Sequence, residues 1–376
     1  MTFDFFNLPR IHFGPGELGR LSELFSRLGH RPLLIFNGSP DRIAPLLPHA
    51  IPLHQRGEPT VVDIDSAVVL ARRESCDCII ALGGGSAMDA AKAVAGIVTN
   101  GGAATDYMEV VGSGQTLTRP ALPWIAIPTT AGTGAEVTRN AVVGWPEKKF
   151  KASIRSEHLL PRAVIVDPQL HVDVPPDVTA RSGMDALCQC IEAYTSKNAQ
   201  PITDALALRG AALAAQSLHR AYADGNDLPA RENMALAALF SGIALTNAGL
   251  GAVHGFAAPI GANFPIPHGT VCGVLLPHVI RANLASAADS LRDRYITLGR
   301  AITGSTALSE GATAEACATI AEQLVQNLHL PRLREFGVAE AHLDDMVGLA
   351  KRSSSMKYNA VQLSDESLRQ VLLNAL

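Results

Sequence analysis

The sequence has no run of Lys or Arg, no long apolar stretch and few aromatic residues. Its 31 Lys and Arg stand against 35 Asp and Glu, giving a net charge of −4. Neither a nucleic-acid partner nor an anionic membrane surface is therefore expected. No uninterrupted apolar segment approaches the ~20 residues that a spanning helix needs. The opening residues MTFDFFNLPR lack a basic segment followed by an apolar core. No secretion signal is expected from them, and the cytoplasm is the expected compartment. Six cysteines, at 76, 78, 188, 190, 272 and 317, include two C-x-C pairs and no C-x-x-C. That spacing argues against zinc knuckles and thioredoxin-like redox motifs. The cysteines read as small buried hydrophobes in a reducing compartment.

At 376 residues and 47% hydrophobic, the chain exceeds what one core normally fills, so two domains are expected. The segments 31–39, 60–64, 76–86, 122–130 and 162–168 read as buried strands ending in turn residues, with helical patterns such as 15–29 and 86–99 between some of them. That order predicts a parallel sheet with covering helices. Near VDVPPDVTARSG (172–183) the texture changes to Ala- and Leu-rich segments with i, i+3, i+4 periodicity. The expected division is an α/β domain over 1–178 and an all-α domain over 179–376, with a ligand between them.

CIIALGGGSAMDAAKAVAGIV reads as strand, glycine turn and helix. Gly83, Gly84 and Gly85 leave no side chain between backbone and ligand. Ser86 is expected to cap the helix, and Asp89 to complete a capping box with it. The helix N-terminus would attract a pyrophosphate. The pattern is neither Walker A nor G-x-G-x-x-G. A second small, hydroxyl-rich loop follows a strand in IPTTAGTGAEVT, with Thr129, Thr130 and Thr133. Lys151, in the strand-like KFKASI, is the candidate cation opposite these loops.

In GMDALCQCIEAY (183–194), Asp185 and Gln189 stand four residues apart and so share a helix face. His254 and His268 lie in a glycine-rich apolar segment, where an imidazole must hydrogen-bond or bind something. Together these four residues are N/O donors suited to Zn²⁺ or Fe²⁺. His278 reads as structural, and His12, His49, His54, His158 and His171 show no partner pattern. Phe150, Phe256, Phe264 and Tyr358 are candidate pocket walls or ordinary core.

HFGPGELGRL (12–21), GGGSAMDAAKAVA (83–95), PTTAGTGAEVT (128–138), VDP (166–168), GMDALCQCIEAYTS (183–196) and GAVHGFAAPIGANFPIPHGTVCGVLLPHV (251–279) follow one another in a specific order. In this the chain resembles the iron-containing (group III) alcohol dehydrogenases, of the dehydroquinate-synthase-like fold, over nearly its whole length. The resemblance implies an N-terminal α/β dinucleotide-binding domain, an all-α C-terminal domain and a divalent metal, Fe²⁺ or Zn²⁺. It assigns Gly84, Gly85, Ser86 and Asp89 to the pyrophosphate of NAD or NADP. Thr129, Thr130 and Thr133 would lie along the ribose and nicotinamide, with Lys151 near the cofactor ribose. Asp185, His254 and His268 match three of the family's four metal ligands. The fourth, usually His, is Gln189 here, a neutral and weaker donor. A further histidine that many relatives carry four residues after the first C-terminal ligand is Ala258 here, which has no group to transfer a proton.

The implied reaction is reversible hydride transfer between a nicotinamide and a small alcohol or aldehyde, with the metal polarising the carbonyl. Relatives suggest alternatives: a maleylacetate-type reductase that works without metal, or a sugar-phosphate cyclase or lyase of the dehydroquinate synthase type. The few Lys and Arg around the proposed ligands speak against a phosphate substrate. A cofactor-binding protein eroded at Gln189 and Ala258 is a further alternative, opposed by the retention of Asp185, His254 and His268. After the strand PLLIF, relatives that prefer NAD place an acidic residue. Here Asn37 and Gly38 fill that turn, with Asp41 and Arg42 nearby, so NADP is admissible. The resemblance also implies a homodimer.

Overall fold

The structure, a computed structural model, describes residues 2–6 and 9–376. The chain divides into two compact units: one of residues 9–130 and 135–172, the other of residues 2–6, 131–134 and 173–376.

The first unit carries strands β1 (Arg10–Phe13), β2 (Pro32–Phe36), β3 (Ile51–His54), β4 (Cys78–Gly83), β5 (Trp124–Pro128), β6 (Asn140–Trp145), β7 (Phe150–Arg155) and β8 (Ala163–Val166). Its helices are α1 (Leu21–Ser26), α2 (Val61–Arg73), α3 (Gly85–Asn100) and α4 (Ala104–Tyr107). Six strands form one sheet in the order β1-β8-β5-β4-β2-β3, and every ladder in it is parallel. On one face Leu34, Ile80, Leu82, Ile125, Ile127 and Ile165 form a single apolar cluster, as the alternation of side chains along a strand requires. From β2 the chain steps outward to β3, then returns past β2 to β4 and continues the other way to β5 and β8. The order therefore reverses between β2 and β4, and open α/β sheets bind ligands outside the strand ends at such a point. β6 and β7 form a separate antiparallel ribbon.

Two local expectations are corrected. The segment 60–64 begins α2 and is not a strand. The Thr60 hydroxyl accepts from the Asp63 N–H at 3.3 Å and the Asp63 carboxylate accepts from the Thr60 N–H at 2.9 Å, so a capping box starts a helix there. Buried Val61, Ile64, Ala67, Val68 and Ala71 then continue with helical spacing. Over 15–29 the helix is shorter than expected, a 3₁₀ turn Glu17–Arg20 followed by α1.

In the second unit all regular structure among the described residues is helical. It comprises α5 (Pro176–Thr195), α6 (Pro201–Ala223), α7 (Leu228–Ala248), α8 (Ala252–Asn263), α9 (His268–Ala285), α10 (Asp289–Thr303), α11 (Glu310–Asn327), α12 (Leu343–Ala350) and α13 (Asp365–Ala375). Pro176 stands in the first turn of α5, where its missing N–H leaves nothing unsatisfied. The short stretch 131–134 belongs to this unit because Gly134 lies on α7: a Cβ there would come within 2.4 Å of the Gly242 backbone. No single helix among the described residues is long and apolar enough to cross a membrane.

Candidate functional site

Three helices of the second unit converge on one cluster. Asp185 lies on α5, His254 on α8, and His268 is the first residue of α9. α9 starts hard against α5: a Cβ on Gly269 would sit 2.1 Å from the Arg181 carbonyl oxygen and 3.4 Å from the Asp185 Cβ. This close approach brings His268 to the carboxylate. Asp185 Oδ1 lies 3.2 Å from His254 Nε2 and 3.7 Å from His268 Nε2. Asp185 is 1% exposed and His254 7%, whereas the His268 side chain is 38% exposed, so the cluster opens at His268 alone.

Sequence reasoning missed three members of this site. Cys272, one turn after His268 on α9, places its sulfur 3.6 Å from His268 Nε2 and 3.7 Å from His254 Nε2. The ligand atoms of Asp185, His254, His268 and Cys272 all lie within 4.8 Å of one another. Glu192, two turns after Asp185, accepts from His254 Nδ1 at 2.7 Å and from the Val253 N–H at 2.7 Å. A carboxylate on one ring nitrogen fixes the tautomer and directs the other nitrogen to its partner, as happens behind metal-bound imidazoles. Ser241 on α7 donates to Gln189 Oε1 at 2.7 Å, while Gln189 Nε2 donates to Asp185 Oδ2 at 3.2 Å. The signals were spacings: His268-x-x-x-Cys272 on one helix face, and Asp185 to Glu192 at i+7.

The charged groups of the cluster act on one another at short range. Burial raises the Asp185 carboxyl, with His268 and His254 opposing it. Burial would lower both imidazoles, but Cys272 and Asp185 outweigh it and hold them above their ordinary value. Burial likewise pushes the Cys272 thiol up, yet its hydrogen bond with Cys188 and the two imidazoles bring it well below its usual range. The cluster gathers a carboxyl oxygen, two imidazole nitrogens and a sulfur around one point. The donor set fits a divalent cation.

The glycine loop lies in the first unit, at the switch point between β2 and β4. Gly83 has φ +148°, and a Cβ there would overlap the Asn37 side-chain oxygen, 2.0 Å away. That oxygen accepts from the Gly84 N–H at 3.0 Å, so Asn37 buttresses the loop from the end of β2. Thr129 N–H donates to Gly83 O at 3.0 Å, and the Thr130 hydroxyl lies 2.8 Å from where a Gly84 Cβ would be, so the two loops adjoin. Thr133 falls in the stretch grouped with the helical unit.

The expected Ser86 capping box is absent. Gly84 is the N-cap, without a side-chain cap, and Ser86 lies inside the first turn of α3. Asn37 already holds the Gly84 amide, so the helix starts earlier than Ser86 would start it. Asp89 instead faces Lys92 at 3.5 Å. Lys151, on β7 as expected, forms an ion pair with Glu58. Arg42 donates to the Gln169 carbonyl at 2.8 Å. His278 is half-buried on α9, and Ala258, one turn after His254, carries only a methyl.

An α/β unit of this topology, followed by a helical unit with an acid–imidazole cluster, is the dehydroquinate-synthase-like arrangement. The pattern of the family "Iron-containing alcohol dehydrogenase" matches residues 9–168, and that of "Fe-containing alcohol dehydrogenase family, C-terminal" matches residues 179–376. The chain is 35% identical to the 1,3-propanediol dehydrogenase of Klebsiella pneumoniae over 99% of its length and 98% of the relative's. It is 32% identical to the NAD-dependent methanol dehydrogenase of Bacillus methanolicus, covering 99% and 100% of the two chains. Among solved structures, a 1,3-propanediol oxidoreductase superposes with a TM-score of 0.93 at 33% identity, covering all of both chains. The chain belongs to the iron-containing alcohol dehydrogenase family. It is an oxidoreductase acting on CH–OH groups.

Proposed function

We propose that the protein is a metal-dependent, NAD(P)-linked alcohol dehydrogenase or aldehyde reductase that moves hydride reversibly between a nicotinamide and a small alcohol or aldehyde. The observation that carries this reading is the convergence of Asp185, His254 and His268 in a chain matched end to end by the family. These three residues hold the divalent cation, Fe²⁺ or Zn²⁺. When bound, that cation supplies Lewis acidity to the substrate oxygen. Glu192 keeps His254 in the tautomer that presents Nε2. Gly84, Gly85, Ser86 and Asp89 receive the pyrophosphate, Thr129, Thr130 and Thr133 the ribose and nicotinamide, and Lys151 the cofactor ribose. Ala258 offers no proton-carrying group, so the substrate proton leaves through water.

Asn37 acts on the cofactor through the glycine loop. Asn37→Ala leaves the Gly84 amide without its acceptor and is expected to raise the cofactor KM about tenfold, with kcat changed less than twofold, for the loss of one hydrogen bond of about 1.4 kcal/mol. An unchanged KM would show that the loop needs no buttress. The turn after β2 sets no carboxylate against a 2′-phosphate, so both NADH and NADPH belong in the assay. We place the protein in the cytoplasm, where six buried free cysteines suit a reducing medium, and as a homodimer, which sedimentation equilibrium would read directly.

The test is metal content of the purified chain, followed by oxidation of NADH and NADPH with short aldehydes before and after chelation. Near-stoichiometric zinc or iron is expected, with turnover lost on chelation and restored by metal. Metal-free turnover would move the assignment to the maleylacetate type. Cofactor binding with no turnover on any alcohol or aldehyde would overturn it.

A further inference from the structure

We infer that Cys272 is the fourth protein donor to the cation, in the place that a fourth imidazole would fill, and that its sulfur makes this a zinc-selective centre. The inference rests on the metal-dependent reading above.

Distances carry the first part of the argument. Around tetrahedral zinc, with bonds of about 2.0 Å to N or O and about 2.3 Å to S, donors stand about 3.3 Å apart for an N/O pair and about 3.6 Å for an N/S pair. Asp185 Oδ1 to His254 Nε2 is 3.2 Å, and to His268 Nε2 3.7 Å. Cys272 Sγ is 3.7 Å from His254 Nε2 and 3.6 Å from His268 Nε2. These four separations match four of the six edges of a metal-sized tetrahedron, and all the donor atoms lie within 4.8 Å of one another. Cys272 is completely buried, and its i+4 spacing from His268 puts both donors on one face of α9.

Gln189 is engaged elsewhere. Its carbonyl oxygen, the one atom of the amide that ligates a cation, accepts from Ser241, and its N–H is on Asp185 Oδ2. The amide therefore acts as a positioning group, holding one carboxylate oxygen so that Oδ1 faces the imidazoles. Cys188, one residue before Gln189, approaches His254 at Nδ1, 3.8 Å away, on the side of the ring that Glu192 occupies. Of the two cysteines near His254, Cys272 alone contacts the Nε2 edge.

Charge and softness favour sulfur as well. Asp185 with three neutral donors leaves a divalent site with one uncompensated positive charge; a thiolate brings the donor charge to balance. Thiolate ligands favour zinc over ferrous iron, which prefers imidazole and carboxylate sets. With four protein donors holding the cation, a substrate oxygen would add as a fifth, an expansion that zinc tolerates.

The test strips metal from the full chain and reloads it with Co²⁺, whose bond to a thiolate gives an intense charge-transfer band in the near ultraviolet. The wild type is expected to show this band, Cys188→Ser to keep it, and Cys272→Ser to lose it while still binding cobalt through the remaining donors. Zinc affinity in Cys272→Ser should fall by at least about 10–100-fold, the loss typical of an outer-shell partner. Gln189→Ala should keep the band. Circular dichroism of each variant separates loss of ligation from loss of fold. Stoichiometric cobalt without the band in wild type, or a band that survives Cys272→Ser, overturns the assignment and leaves the metal-dependent reading standing. A chain that takes up neither cobalt nor zinc overturns both.

Discussion

Asp185→Asn is expected to lower kcat/KM by at least about 10³-fold, ~4 kcal/mol of transition-state stabilisation, because it removes the carboxylate on which the proposed metal centre would be organised. The substitution is nearly isosteric, and Asp185 is 1% exposed on α5, so the amide fits the same space. What disappears is the charge. Oδ1 faces two imidazole Nε2 atoms, and Oδ2 accepts from Gln189. An amide can supply an oxygen to one side only, and its N–H₂ on the other would oppose the Gln189 donor. Metal content and activity should fall together in the purified variant, with the melting curve of a folded protein. Retention of more than a tenth of wild-type activity would mean that the reaction does not depend on this cluster.

The second large effect concerns stability. Lys92 on α3 is completely buried, and its ammonium donates to the Thr138 hydroxyl at 2.7 Å and the Asn140 carbonyl at 2.8 Å, with Asp89 at 3.5 Å. Glu136, 4% exposed, is the other carboxylate that it steadies. Removing one member of a buried charged set strands the others, at a cost of about 3–5 kcal/mol, and Lys92→Met should lose that much in denaturant unfolding near pH 8. Acid should reduce the deficit. Burial raises Asp89 to about 6 and Glu136 to about 7, with Lys92 pulling each back. A carboxyl raised in the folded state binds its proton more tightly folded than unfolded, so its ionisation costs stability as pH climbs from about 4 through 7. Without Lys92 that cost grows, and the gap between variant and wild type should widen from pH 5 to pH 8. A deficit under 1 kcal/mol at both pH values would refute a stabilising role for the lysine. The lysine also ties the helix that begins at the glycine loop to the start of β6, so the same variant should bind cofactor less well.

Much of the architecture is legible in the chain because central parallel strands are buried on both faces. PLLIF, CIIALG and AVIV are uninterrupted apolar runs ending in turn residues, and each is a strand. The edge strands RIHF and IPLH escape such a reading, since their partly exposed faces carry Arg, His and Pro. TVVDI misleads for the opposite reason: its β-branched run suits a strand, but the Thr60–Asp63 box lies within it and decides the outcome. The cluster on α5, α8 and α9 is visible as separate motifs, Asp185, His254 and His268. Cys272 is not, because its i+4 spacing from His268 fits a sulfur packed among leucines as well as one facing two imidazoles. Asn37 is likewise visible as a turn residue, but its bond to Gly84 spans two strands that are neighbours only in space.

The stretch 131–134 has a consequence for the order in which the molecule is made. Its contact surface, the α7 backbone at Gly242, leaves the ribosome about a hundred residues later, roughly 5–20 s at ordinary rates of synthesis. Throughout that interval the sheet unit can close around β5 and β8, but this small loop, which follows directly on Thr129 and Thr130, has nowhere to dock. The α/β portion of a nascent chain released early would thus keep its strands and lack a settled threonine loop, and it would gain the settled loop only once the seventh helix had emerged.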